Sequence, residues 1–286
     1  MINHFTNEYL DGRTPNPCVL CNTHIKWDAL LRRADKLGCE WIATGHYANI
    51  REENGRYVIS KGKDENKDQS YALWGVSQKS LSRTMFPLGH LHKSEIRQMA
   101  VDRGFTALVN KPESYEICFV PDNDYRGFLK RRVDGLEEKV KGGEFVMEDG
   151  TVVGVHEGYP FYTVGQRKGL GIALGFPVYV IEIQKEQNRV VLGTFDELAR
   201  DGMYVDQLNM SKVTNLEGKI DTVTKVRYND PGSPAVIEQV GDIVKVFFGK
   251  GVSAIAPGQA AVFYDGDDVI GGGWIKSSFN QLVNAH

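Results

Sequence analysis

The chain carries four cysteines, Cys18, Cys21, Cys39 and Cys118. Two of them form a Cys-x-x-Cys, Pro17-Cys18-Val-Leu-Cys21, in a proline-rich loop that runs into a helical pattern. A thiol at a helix N-terminus sits at the positive end of the macrodipole, which favours the thiolate, the form that attacks electrophiles and binds metals. The spacing also suits half of a structural zinc site. The second half needs another Cys or His pair at close spacing, and His24 and Cys39 are poor substitutes. A three-cysteine iron–sulfur site at Cys18, Cys21 and Cys118 uses the same residues, with one iron left open. Redox or nucleophilic chemistry is the remaining reading. Cys118 lies in Ser114-Tyr-Glu-Ile-Cys118-Phe-Val-Pro121, which on its own reads as a buried cysteine in a short strand. Cys39, between a helix stop and an apolar strand, fits that description better and is assigned no chemistry.

Polar groups able to hold phosphate or a base edge are fewer. Lys67-Asp68-Gln69-Ser70 precedes the apolar run Tyr71-Ala-Leu-Trp, and Asp68 or Ser70 suits a helix cap. Gly165-Gln-Arg-Lys-Gly169-Leu-Gly171 offers two cations in a loop whose amides can approach phosphate. Arg126, Lys130, Arg131 and Arg132 form a basic cluster on a helix, ordinarily a solvated face. Bulk charge does not announce a nucleic-acid binder: the 286 residues hold 34 basic and 37 acidic side chains. Residues 201–286 hold 7 basic and 10 acidic residues and so carry the whole excess. No transmembrane run and no secretory signal stand out, which points to a cytoplasmic protein.

The elements that must position these groups change character along the chain. Trp27, Leu30, Leu31, Ala34 and Gly38 fall at helical spacing, followed by a strand from Cys39 to Gly45-His46. Ser94 suits the cap of a helix ending at Gly104. This alternation predicts βα units on a parallel sheet, with Gly45-His46 at a strand's carboxyl end, where ligands sit. Later, hairpins are expected at Phe145–Met147 with Val152–Val155, and at Val178–Ile183 with Arg189–Leu192. From about residue 221, five short strands predict a small barrel: 223–227, 235–240, 243–248, 260–264 and 269–274. Asp265, Asp267 and Asp268 read as a solvated turn.

Eight ordered segments match one family. They are Gly12-Arg-Thr-Pro-Asn-Pro-Cys-Val-Leu-Cys21-Asn, Ala43-Thr-Gly-His-Tyr-Ala48, Asp64-x(3)-Asp68-Gln-Ser-Tyr71 and Phe86-Pro-Leu-Gly89, followed by Glu116-Ile-Cys-Phe119, Tyr162-Thr-Val-Gly-Gln-Arg-Lys-Gly-Leu-Gly171, Val226-Arg-Tyr228 and Pro257-Gly-Gln259 with Ala261-Val-Phe-Tyr264. From near residue 5 to about 276 the chain resembles the bacterial tRNA-specific 2-thiouridylases. The resemblance implies an α/β plus β fold. Residues 1–125 would be a truncated PP-loop ATPase domain, Rossmann-like and of the adenine-nucleotide α-hydrolase type. Residues 126–205 would form a small β-rich central domain, and residues 206–286 a β-barrel.

It further implies sulfur transfer to C2 of the wobble uridine of tRNAs for Glu, Gln and Lys, with ATP and Mg2+ and an upstream sulfur-relay protein. DNA and membrane are not implied partners. ATP adenylates the carbonyl oxygen, a cysteine persulfide supplies sulfur, and a second cysteine resolves it to a disulfide. Cys21 matches the nucleophile and Cys118 the persulfide carrier. Gly45 matches a position at the ATP. Asn16, Pro17 and Cys18 match contacts to the target base, and His46, Lys67, Asp68, Gln69, Arg227, Tyr228 and Gln259 match tRNA contacts. Many members have Asp where this chain has Cys18. The family's Ser-Gly-Gly-x-Asp-Ser loop, which grips pyrophosphate, is not in this sequence, so the expectation is an ATPase domain lacking its first units.

Overall fold

The computed structural model describes residues 1–109 and 117–280. Ser114-Tyr-Glu116, ahead of Cys118, and the terminal His286 lie outside the described residues. The first helix, α1 (Ile2–Leu10), buries Phe5 and Tyr9 against residues far along the chain. The Phe5 ring meets Phe119 and Phe128 edge-on at 5.1 and 5.8 Å. A helical rod follows: α2 (Pro17–Leu20), a π-helical stretch Cys21–Trp27, and α3 (Asp28–Lys36). Pro17 occupies the first helical position, where its missing N–H costs no hydrogen bond. Trp27 is fully buried and its indole N–H donates to Thr84 Oγ1 at 2.8 Å. Gly38, at φ +69°, ends the rod as expected; the Cys39 amide donates back to the Ala34 carbonyl at 2.9 Å.

Short strands come next: β1 (Ile42–Ala43), then the hairpin β2 (Ala48–Glu53) and β3 (Arg56–Lys61), then β4 (Thr84–Met85) after α4 (Gln78–Leu81). β1 and β4 pair in parallel, which is the expected βα arrangement, though the strand anticipated from Cys39 spans two residues. Cys39 is exposed, not buried, because Arg83 reaches over the turn to the Cys39 and Glu40 carbonyls at 2.9 and 2.8 Å. The next helix, α5 (Lys93–Asp102), begins one residue before Ser94. Its cap is His92, whose amide donates to Glu95 at 2.6 Å. After α6 (Thr106–Val109), Cys118 lies in a turn and is exposed, correcting the reading of it as a buried strand residue.

The central region holds α7 (Tyr125–Arg132), α8 (Leu136–Val140) and four strands, β5 (Gly143–Met147), β6 (Val152–His156), β7 (Tyr179–Gln184) and β8 (Arg189–Gly193), in the order β6-β5-β8-β7. Both predicted hairpins are present. Its core takes in α1 and the residues flanking Cys118. The basic cluster on α7 is largely neutralised by protein: Lys130 pairs with Glu137 and Glu157, Arg131 with Asp122, and Arg132 donates to Asn3.

The last strands are β9 (Ala199–Met210), β10 (Lys219–Lys225), β11 (Ser233–Val240), β12 (Ile243–Ser253), β13 (Ala260–Asp265) and β14 (Asp268–Phe279). They run β13-β10-β11-β12-β9-β14, and β13 pairs with β14 to close the barrel. β9 is the barrel strand that the sequence pattern missed, as it missed the β2–β3 hairpin. The β2–β3 hairpin extends this sheet from β14. Asp268 is not a solvated turn carboxylate. It takes Arg51 at 2.7 Å, Ser60 at 2.8 Å and Lys212 at 2.8 Å, and these donors, Arg51 foremost, hold its carboxyl well below the usual range. Barrel residues Ala260, Val262, Tyr264 and Val269 share one core with Trp27, Tyr71 and Trp74.

This shared core makes Tyr71 a joint. Its buried hydroxyl donates to the Ala260 carbonyl at 2.8 Å. Replacing Tyr71 by Phe leaves that carbonyl unpaired and is expected to cost about 1–3 kcal/mol. Hydrogen exchange should accelerate together in β2–β3 and in β13. Loss of protection in only one of them would mean that the two regions do not share a cooperative core.

Candidate active site

Asn16, the residue before the rod, is held from the barrel. The turn Pro257-Gly258-Gln259 presses on the loop that delivers Asn16: the Thr14 amide donates to the Pro257 carbonyl at 2.8 Å, and the Gln259 carboxamide donates to Thr14 and Pro15 carbonyls at 3.1 and 3.0 Å. Gly258 must be glycine here. Its φ is +88°, and a Cβ would lie 2.9 Å from the Thr14 carbonyl oxygen. The Asn16 side chain bonds the Tyr71 hydroxyl, which burial raises far above the ordinary tyrosine range. Gln259, expected at tRNA, thus has its amide donors turned inward on the loop that carries Asn16, Pro17 and Cys18.

Cys18 is exposed, Cys21 is half-buried and Cys118 is exposed. Cys118 is turned outward between Ile117 and Phe119, both of which pack on the central core. The fold brings Cys118 into electrostatic range of Cys18 across ninety-odd residues of chain. The Cys18 thiol is pushed up by burial first, then by Cys21 and Cys118; the nearby Lys26 ammonium opposes them. At Cys18 desolvation and the neighbouring thiols thus work against the dipole. Among the described residues no group of three His, Cys, Asp or Glu side chains is arranged to hold a metal. Among the described residues the cysteines are not gathered as an iron–sulfur cluster requires, and no acidic ligand set for Mg2+ is found.

A cleft of about 710 Å³ is lined by Ile25, Lys26, Leu30, Arg33, Gly45 and His46, together with Thr44 and Gln69. Gly45 is exposed at the end of β1. His46 is buried; its Nδ1 lies 2.8 Å from Thr44 Oγ1 and its Nε2 3.2 Å from Lys26 Nζ. Ammonium has only protons to give. Nε2 is therefore the acceptor, and the ring proton sits on Nδ1, facing Thr44. Burial, then Lys26, lowers the His46 pKa to about 4.

The loop of Lys67, Asp68 and Gln69 is built from internal bonds. Asp68 accepts from the Gly62 and Ser70 amides and from the Ser70 hydroxyl, at 3.0, 3.1 and 2.8 Å. Gln69 accepts from the Tyr47 amide at 3.0 Å, while Lys67 is half-exposed. Tyr228, exposed on the barrel, donates to the Asp68 carbonyl at 3.0 Å, and Arg227 beside it is exposed as well. Sequence reasoning missed Lys26, Thr44 and Arg33. Lys26 carried one readable signal, its place five residues after Cys21, but only a π-helical turn makes that spacing one hydrogen-bonded repeat.

The fold and site define a class: an α/β domain that carries exposed thiols and an open cleft, braced by two β-rich units. Three family models match in succession along the chain. They are described as the tRNA methyl transferase HUP domain over residues 1–122, the tRNA methyl transferase PRC-barrel domain over 126–194, and the aminomethyltransferase beta-barrel domain over 200–275. The chain is 80% identical over 282 residues to the tRNA-specific 2-thiouridylase MnmA of Amoebophilus asiaticus, covering 98% of this chain and 75% of that protein. It is 76% identical to that of Cytophaga hutchinsonii (98% and 77% covered) and 56% identical to that of Salinibacter ruber (96% and 73% covered). The chain belongs to the tRNA-specific 2-thiouridylase family.

His46 and His156 make stability depend on pH. Both are buried and both are lowered to about 4, chiefly by burial. The unfolded chain takes up these protons near pH 6.5, the folded one only near 4, so the unfolded state binds more protons between those values. Stability should be full above pH 6.5 and fall as pH drops toward 4, by up to about 3 kcal/mol per histidine. Urea midpoints at pH 7 and pH 4.5 measure this, and His156→Gln should flatten the slope. A midpoint unchanged across that interval would contradict the assignment.

Proposed function

We propose that this chain carries the sulfur-transfer site of a cytoplasmic tRNA 2-thiouridylase acting on the wobble uridine of tRNAs for Glu, Gln and Lys. The observation that carries this reading is the approach of Cys118 to Cys18, three residues before Cys21, from a hundred positions further along the chain. Uridine O2 attacks the α-phosphorus of ATP, and pyrophosphate leaves. The terminal sulfur of a Cys118 persulfide, loaded by a sulfur-relay protein, adds to C2. The Cys21 thiolate attacks Cys118 Sγ, and the broken S–S bond leaves its electron pair on the transferred sulfur. AMP departs with the old oxygen, and a thiol reductant supplies two electrons to reopen the Cys21–Cys118 disulfide. The uridine must leave the anticodon stack to reach these atoms.

In this reading Gly45 lies against the nucleotide, and Asn16, Pro17 and Cys18 face the base. Cys18, with its raised pKa, is a proton-bearing thiol where many relatives have a carboxylate. Arg227 and Tyr228 offer a cation for phosphate and a ring for stacking at the barrel rim. Asp68, Gln69 and Gln259 serve the tRNA indirectly, by holding the loops that meet it. His46 presents a neutral ring, and Lys67 a cation. No residue here is assigned to pyrophosphate, and no step is assigned to Mg2+ or to an iron–sulfur cluster.

Incubation of the chain with a persulfide-donating protein, followed by alkylation and peptide mapping, tests the sulfur route apart from adenylation. The expected result is one extra sulfur on the Cys118 peptide, retained in Cys21→Ser and lost in Cys118→Ser. Loading on Cys18 or Cys21 with Cys118 bare would contradict the assignment of carrier and resolving thiol.

A further inference from the structure

Lys26 has a position that the reaction above does not use. It is exposed on the cleft wall, and its one hydrogen-bond partner among the described residues is His46 Nε2 at 3.2 Å. Arg33, about two helical turns further on, lines the same cleft. Neither cation forms an ion pair with a carboxylate of the described residues, and no residue lining the cleft is acidic. The walls beside them, Ile25, Ala29 and Leu30, are apolar and open. Two cations without counter-charges, over an apolar wall and an exposed glycine, suit a ligand with a flat apolar base and a phosphate.

The bond from Lys26 to His46 is the weaker of the two that such a lysine can make. A neutral imidazole nitrogen offers a lone pair, whereas a phosphate oxygen adds charge, and charge-assisted bonds are shorter and about twice as strong. We propose that Lys26 is a positioning residue shared between two partners: at rest it is parked on His46, and on binding a nucleoside monophosphate group in the cleft it transfers to the phosphate and frees His46 Nε2 as an acceptor. This rests on the nucleotide-using reading of the cleft. The His46 proton stays on Nδ1, held by Thr44, so the exchange uncovers an acceptor without moving a proton. Lys26 lies near the end of the π-helical stretch, beside the buried Trp27 that fixes this part of the rod in the core.

The test uses AMP as the probe and chain labelled with 15N at histidine. His156 is the internal control: its Nδ1 accepts from the Gly158 amide at 3.0 Å, so it holds the opposite tautomer, and its signal reports folding in every variant. In the wild-type chain, saturating AMP should move the His46 Nε2 resonance to that of an unbonded acceptor, with Nδ1 still protonated. Lys26→Met should show that resonance without AMP and bind AMP at least about tenfold more weakly, the loss of a charge-assisted bond. Lys26→Arg should restore binding. Equal AMP affinity in wild type and Lys26→Met overturns the proposal and leaves the nucleotide reading standing. AMP binding with an unmoved His46 signal overturns the exchange. Failure of the wild-type chain to bind AMP takes down both.

Discussion

The site depends on one carboxamide. Gln259 holds two successive carbonyls, Thr14 and Pro15, and so sets where the rod that carries Cys18 and Cys21 begins. Each bond is worth about 1 kcal/mol net. Their effect is larger than that figure because they are the last restraint before a proline-started helix, and an error in the loop would propagate down every residue of the rod. The same turn needs glycine at 258, whose positive φ lets the backbone lie against the Thr14 oxygen. Barrel and nucleotide-type domain are therefore one positioning device. The shared core around Tyr71, Tyr264 and Trp274 and the Arg51–Asp268–Lys212 bridges hold the two at fixed distance.

The electrostatics of the site follow from that packing. Burial disfavours charge on Cys18 and on His46, and Lys26 is near enough to act on both. Its charge lowers the cost of a thiolate and raises the cost of an imidazolium. One lysine thus partly offsets the raised Cys18 pKa and holds the His46 ring neutral. Cys118 joins them from another part of the chain. Ile117 and Phe119 anchor it in the central core, so the helix α1, which packs into that core at Phe5, also bears on where this thiol sits.

Much of this was legible in the sequence, and the reasons differ by residue. The cysteine pair, Gly45-His46 and the hairpins stand out because their signals are local: spacing, turn residues and alternation. The strand β9 was hidden because Arg-Asp-Gly and Asp-Gln interrupt its alternation, and Gln207 takes a φ of +49° where the register against β14 shifts. The part played by Gln259 could be read as an amide but not as an inward one, since its partners lie some 245 positions away. The same holds for Asp268, whose neighbours Asp265 and Asp267 made it look like one more solvated carboxylate. Lys26 was unreadable for another reason: an α-helical wheel puts it on a different face from Cys21, and nothing in the residue types announces a π-helical turn.

The central proposal is that Cys21 and Cys118 act as a pair; the packing of Phe119 on α1 and of the rod on the core it shares with the barrel sets where each thiol starts. The most direct measurement is a disulfide map. The folded chain is oxidised mildly, free thiols are blocked, and linked peptides are identified under non-reducing conditions. The account predicts a Cys21–Cys118 bond, a joining of sulfurs that a disulfide's narrow reach permits only if the turn carrying Cys118 closes onto the rod. Recovery of Cys18–Cys21 bonds alone, with Cys118 fully alkylated, would contradict it.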